Sequence, residues 1–155
     1  MHPAAAVAGF AFERVPHHRH ATRSTASAAG APMGGPDIPE DSERPVFYLH
    51  GTTDGLVAFS SATAQRDALI DAWEMDEQEV LADDAEHTWT RYVSEAGTVF
   101  EFVQHEWECD WTLADMPLRG HCFPGSPSLL GCGEDNALHW GETVMQFFVD
   151  HPKAD

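Results

Sequence analysis

The residues of this sequence best placed to do chemistry are two side chains that exchange protons, Asp54 and His121. Asp54 follows the mostly apolar run 46–49 and the turn that Gly51 begins. Such a run, bounded by turn residues, is typical of a strand buried on both faces. A carboxylate just past the carboxyl end of such a strand lies where open α/β sheets keep their ligand sites. The alternative is that Asp54 only closes a turn, a position that aspartate favours.

His121 lies between Gly120 and the turn-forming pair Pro124-Gly125. Glycine and proline on either side place this imidazole on a loop rather than on the face of a helix. From the residues alone, the simpler interpretation is a loop histidine that is hydrogen-bonded to the backbone.

Other residues of metal-binding type lack the spacing of a metal site. His17, His18 and His20 have no further ligands nearby, and a zinc site needs three or four placed together. In the stretch 105–111, alternation along a strand spreads the donor side chains over both faces. We therefore expect no metal and no cofactor.

Three cysteines, Cys109, Cys122 and Cys132, leave one unpaired if a disulfide forms. Cys122 and Cys132 are close enough in sequence to close a small loop. Two buried thiols are the alternative.

The composition restricts the classes of partner. The chain has 155 residues, 26 of them acidic and 8 basic, with a formal net charge of -18. Such a surface repels nucleic acid and anionic membranes, which bind lysine and arginine clusters, so we expect neither as a partner. The sequence contains no apolar run long enough to span a bilayer. The start of the chain lacks the basic region of a signal peptide.

The chain divides into two parts by composition. Residues 1–44 are rich in Ala, Ser, Thr and Gly without a helix or strand period, which predicts a low-complexity, disordered segment with a possible short strand at 6–12. Residues 45–155 carry the folded portion.

The folded portion has helical and strand patterns in alternation. One helix is predicted at 63–75, capped by Ser60 or Ser61, and a last one at 137–151, capped by Asp135 or Asn136. Two strands, 89–93 and 98–105, predict a hairpin at the edge of a sheet. The acidic stretch 76–86 predicts a solvated loop or a frayed helix end.

Three pieces of the sequence resemble the C-terminal half of an α/β-hydrolase of the polyhydroxybutyrate depolymerase and feruloyl esterase group of carboxylesterases. The first is Pro-Val-Phe-Tyr-Leu-His-Gly-Thr-Thr-Asp, which ends at Asp54. The second is Gly-His-Cys-Phe-Pro-Gly, which contains His121. The third is the closing helix, with its end Phe-Phe-Val-Asp-His-Pro at Pro152.

The resemblance implies a partial α/β-hydrolase fold over residues 45–155, made of the C-terminal half of the sheet with flanking helices. It also implies a Ser-Asp-His triad in that chain order, with Asp54 as the acid and His121 as the base. The expected substrates are small-molecule or polymeric esters. The family is secreted, so the expected location is extracellular.

The sequence departs from that family at the nucleophile. The family carries its serine in a Gly-x-Ser-x-Gly turn upstream of the acid, and no such string occurs here. Neither Ser24, Ser27 nor Ser42 is framed by glycines. We therefore expect a fragment, inactive by itself, or one half of an assembly in which a complementary chain supplies the serine. The alternative function is a non-catalytic binding or assembly module, with Trp107 and Trp111 as exposed contacts.

Overall fold

The computed structural model describes residues 43–127, 130–133 and 135–152. Of the predicted N-terminal segment 1–44, all but the last two residues lie outside this part, as do the possible strand at 6–12 and the three early histidines. The described elements, in chain order, are β1 (Val46–Gly51), α1 (Phe59–Ala72), β2 (Glu77–Asp83), β3 (His87–Val93), β4 (Val99–His105), β5 (Cys109–Leu113), β6 (Met116–Arg119) and α2 (Trp140–Asp150).

Four strands form one sheet in the order β1-β4-β3-β2. β1 runs parallel to β4, whereas β3 is antiparallel to both β4 and β2. β5 and β6 form a separate antiparallel pair. The fold is therefore mixed α/β, as the sequence predicts at this coarser level. The predicted strand at the start of the folded portion is confirmed, and within the described residues β1 ends the sheet on one side.

β4 is the centre of the sheet, and its side chains alternate between two hydrophobic clusters. Phe100 and Phe102 pack into a cluster that α1 covers, and Val103 packs into a second cluster on the other side. This is the division of faces that the period-2 pattern predicts. Glu101, buried in the middle, accepts hydrogen bonds from Trp89 Nε1 at 3.0 Å and from Arg91 Nε at 2.7 Å. The predicted strands are confirmed, but their position at a sheet edge is wrong, because β4 pairs on both sides.

Residues 76–86 are not a loop. They contain β2, which pairs with β3 from Glu77↔Val93 to Asp83↔Thr88 and is exposed along most of its length. The strand is acidic because it lies at the sheet edge, where charged side chains remain in water and discourage pairing with another chain. The prediction failed because the acidic composition of an edge strand resembles that of a loop.

Both helices begin at residues other than those predicted. α1 begins at Phe59, after Ala58, so Ser60 and Ser61 lie in its first turn rather than at the N-cap. α2 begins three residues later than predicted, after His139. The predicted cap Asn136 instead accepts a hydrogen bond from Gly125 N at 2.9 Å, and so supports the loop that carries His121.

Candidate functional site

The site forms where the end of β1 meets the segment after β6, through backbone atoms in very close approach. A Cβ built on Gly51 would lie 2.2 Å from Gly120 O, so a side chain at Gly51 would have to separate the two segments. Gly55 N also donates to Leu118 O at 3.0 Å. Glycine is required at Gly51 for this reason, and the contact brings the turn that carries Asp54 against the loop that carries His121.

Asp54 is held as a carboxylate by hydrogen bonds at both oxygens. Its Oδ1 accepts the backbone N–H groups of Leu56 and Val57, each at 2.8 Å. Its Oδ2 lies 2.9 Å from His121 Nδ1. Burial by itself raises the pKa of Asp54, but the hydrogen bonds from Val57, His121 and Leu56 together outweigh it and hold the pKa below its usual value. The sequence offered a turn and a ligand site as alternatives, and Asp54 closes the turn while also binding an imidazole.

His121 has one ring nitrogen bound to Asp54 and a ring that reaches solvent. Its side chain is 39% exposed, against 5% for that of Asp54. Because an ionised carboxylate only accepts, His121 Nδ1 carries a proton in this pair, and a neutral ring then keeps its lone pair on Nε2. Its backbone N–H donates to Leu118 O at 2.9 Å, which fixes the loop. The arrangement is that of a general base oriented by an acid.

A disulfide fixes the loop immediately after His121. Cys122 and Cys132 are bonded, with their Cα atoms 5.3 Å apart, which settles the choice that the sequence left open. Cys109 is the free cysteine of the described residues. Backbone hydrogen bonds between Phe123 and the segment around Cys132 reinforce the same loop. The position of His121 therefore depends on covalent and hydrogen-bonded constraints on one side of it and on the glycine contact on the other.

A cavity of about 230 Å³ opens beside the Asp54–His121 pair. Phe123 forms part of its rim and stacks on Trp140, with ring centroids 5.9 Å apart. The cavity is lined by Tyr48, Leu49, His50, Gly51, Asp54, Val57, His105, Gly120, His121, Cys122 and Phe123. No serine belongs to this lining. A larger cavity of about 670 Å³ lies near Trp73 and Glu95. Neither Asp54 nor His121 lines it, so it is not a candidate for this chemistry.

Two histidines of this site were missed by sequence reasoning. His50 and His105 lie at the ends of the parallel strands β1 and β4, where His105 is in register with Gly51. Both are buried, and both ring nitrogens of His105 lack hydrogen-bond partners within the described part of the chain. Burial lowers the pKa of His105 to about 4. A sequence signal existed, since each of the two apolar runs ends at a histidine.

The two tryptophans proposed as contacts for a binding module differ in exposure. Trp111 is 46% exposed on β5, whereas Trp107 is 8% exposed and stacks on both His87 and His105. The prediction is therefore wrong for Trp107. In the described ranges, no three His, Cys, Asp or Glu side chains are grouped to hold a metal ion.

No family model matches the chain, and searches of curated proteins and of solved structures also returned no match. None of the helices in the part of the chain that the structure describes is long and apolar enough to cross a membrane.

Proposed function

We propose that this chain supplies the acid and the base of a Ser-Asp-His triad in an ester hydrolase of the polyhydroxybutyrate depolymerase and feruloyl esterase type. The single observation that carries the proposal is the 2.9 Å contact between Asp54 Oδ2 and His121 Nδ1. The two residues are 67 positions apart, so their contact is a product of the fold and not of local sequence. The resemblance assigns the roles of acid and base to the same two residues.

The pair acts by moving one proton. A serine hydroxyl attacks the ester carbonyl and transfers its proton to His121 Nε2, and the imidazolium then donates that proton to the leaving alcohol. Water then gives a proton to His121 in the same way and attacks the acyl-serine ester, which releases the carboxylic acid of the substrate and restores the serine. Asp54 keeps the Nδ1 proton in place and stabilises the imidazolium. The serine and the oxyanion donors are taken to come from a complementary chain or a longer polypeptide, because the sequence has no Gly-x-Ser-x-Gly turn upstream of Asp54.

The topology supports the finer assignment to the C-terminal portion of an α/β-hydrolase, residues 45–155. The acid follows strand β1, and the base follows the strand pair β5–β6 on a loop that returns to the end of β1. The free end of the sheet at β1, as far as the chain is described, suits the addition of strands from a complementary part. The Cys122–Cys132 disulfide supports an extracellular location, since such bonds persist in oxidising surroundings.

The first test is nuclear magnetic resonance of the histidine side chains in the full chain. In the neutral form of its ring, we expect His121 to carry the proton on Nδ1 and a lone pair on Nε2, and Asp54→Asn to abolish that preference. Asp84→Asn is the matched control, because Asp84 also binds a histidine, His87 Nδ1, at 3.1 Å. A His121 tautomer that carries its proton on Nε2 in the unaltered chain would contradict the proposal.

The second test is hydrolysis of p-nitrophenyl acetate. With the part that carries the serine supplied, we expect His121→Ala to lose more activity than His139→Ala, which removes another exposed imidazole. Where a serine partner is supplied, Asp54→Asn is expected to lower kcat by about 10⁴-fold. Equal rates for the unaltered chain, Asp54→Ala and His121→Ala, each measured with the serine supplied, would exclude catalysis by this pair.

The alternative function, a binding module, keeps one supporting observation. Three large apolar side chains of the β5–β6 pair are exposed, namely Trp111, Leu113 and Met116. Retention of the chain on an insoluble polyester that is lost in Trp111→Ser, with Trp107 unchanged, would favour that function.

A further inference from the structure

A second imidazole, His50, reaches the same carboxylate oxygen that His121 binds. His50 Nε2 lies 3.7 Å from Asp54 Oδ2, which is within ion-pair distance but longer than a hydrogen bond. The two side chains are only 6% and 5% exposed. Water therefore screens little of the interaction between them, and the charge of one is felt strongly by the other.

The proton positions on His50 follow from its other contact. His50 Nδ1 lies 2.9 Å from Gly51 O, and a carbonyl oxygen only accepts, so Nδ1 carries a proton. In a neutral ring, Nε2 then faces the carboxylate with a lone pair, and two buried acceptors repel each other. In a protonated ring, Nε2 presents an N–H to Asp54 and the two attract. His50 Nε2 has no hydrogen-bond partner among the described residues, which leaves Asp54 as the group able to use that proton.

Two aromatic rings and a second histidine surround His50. The rings of Tyr48 and Phe59 lie against it, with centroids 6.2 and 5.9 Å away. From β4, the buried His105 is close enough for its charge to interact with that of His50. The titratable groups near His50 are Tyr48, His105, His121 and Asp54, and Asp54 is the carboxylate among them.

We propose that His50 is a positioning residue, a buried second imidazole that fixes Asp54 Oδ2 so that the carboxylate stays aligned with His121. The inference rests on the proposed function, in which Asp54 and His121 form a proton relay for a serine, because it concerns the orientation of Asp54 in that relay. Oδ1 is fixed by two backbone N–H groups, Oδ2 is bound by the solvent-facing His121, and the buried His50 Nε2 lies 3.7 Å from Oδ2. With His50 in place, both oxygens of Asp54 are constrained, and the carboxylate is kept from rotating away from His121.

Two substitutions at His50 distinguish the contribution of Nε2 from that of Nδ1. In His50→Gln, the amide nitrogen takes the place of Nε2 and keeps an N–H toward Asp54. In His50→Asn, the amide nitrogen takes the place of Nδ1 and keeps only the contact with Gly51. The readout is the rate at which the His121 Nδ1 proton exchanges with water in the full chain, measured by nuclear magnetic resonance. We expect His50→Asn to speed this exchange about 2- to 10-fold, the range of one supporting contact, and His50→Gln to leave it within about twofold.

The control is His87→Asn, which changes a buried histidine that pairs with Asp84 outside this site, and which we expect to leave the exchange rate unchanged. Equal exchange rates in His50→Asn and His50→Gln would overturn the inference and leave the relay standing. The absence of a bound Nδ1 proton on His121 in the unaltered chain would instead overturn the relay, and this inference with it.

A measurement that leaves His50 in place keeps the inference testable if His50→Asn does not fold. A change in the His50 Nε2 resonance on Asp54→Asn, as expected if this nitrogen interacts with the carboxylate, supports the inference. A His50 Nε2 resonance that Asp54→Asn leaves unchanged overturns it.

Discussion

Because His105 is buried, we predict that the free energy of unfolding falls in acid. Its side chain is 1% exposed, and burial lowers its pKa from the ordinary value of 6.5 to about 4. The folded chain therefore resists protonation of this ring, while the unfolded chain takes up the proton readily. The contribution of His105 to stability is complete above pH 6.5 and is lost as the pH falls from there toward 4.

The size of the loss follows from these two pKa values. Between neutral pH and pH 4.5, the difference in proton binding between the unfolded and folded states amounts to about 2.5 kcal/mol in the free energy of unfolding. The carboxyl of Asp54 adds little to this interval, because its lowered pKa makes its contribution fall only at pH values below the ordinary one of 3.8. That contribution is present above 3.8 and is lost as the pH falls through the lower folded value.

The assay is urea unfolding at pH 7.5 and at pH 4.5, applied to the unaltered chain and to His105→Phe. Phenylalanine keeps a ring against Trp107 and removes the titration. We expect the unaltered chain to lose about 2.5 kcal/mol more than His105→Phe over this interval, whatever the stability of the variant at neutral pH. His87→Phe is the matched control, since His87 also stacks on Trp107 at 5.2 Å, and it should keep the full loss that His105 causes. Equal losses in the unaltered chain and in His105→Phe would refute the reasoning.

Two further predictions concern the contacts that bring Asp54 and His121 together. Gly51→Ala places a Cβ 2.2 Å from Gly120 O, so we expect a loss of about 1–3 kcal/mol in urea unfolding and a weakened Asp54–His121 contact. Gly141→Ala, whose Cβ meets nothing within 4 Å and which lies in α2, should lower neither the stability nor the contact. A stable Gly51→Ala chain with an intact contact would contradict the argument. Reduction of the Cys122–Cys132 disulfide should lower the free energy of unfolding by about 3 kcal/mol, because the unfolded chain regains the conformational entropy of a loop with a sequence separation of 10. The double substitution Cys122→Ala, Cys132→Ala should then be indifferent to reductant, and an equal effect of reductant on both chains would show that the bond is not the cause.

Local patterns in the sequence were sufficient for the elements that hold the pair. The apolar run before Asp54 forms β1, and the alternation around Phe100 and Phe102 gives the correct faces of β4. The loop position of His121 follows from the glycines and the proline around it. These features are local, because a period of two or a turn residue acts on the backbone within a few positions. The catalytic role of Asp54 and His121 remains a prediction from resemblance.

Other features depend on neighbours that the local sequence does not name. The acidic residues 77–83 form a strand because β3 pairs with them. Asn136 does not cap α2, and its side chain instead accepts a hydrogen bond from Gly125 N. His50 and His105 are ordinary strand-end residues in the sequence, and they become a buried pair only because β1 and β4 lie side by side. Register, burial and the 2.9 Å contact of Asp54 with His121 are set by segments far apart in the chain. The sequence by itself therefore determined which residues could carry the chemistry, and the tertiary structure alone decided which of them meet, because burial and contact are properties of packed surfaces and not of single segments.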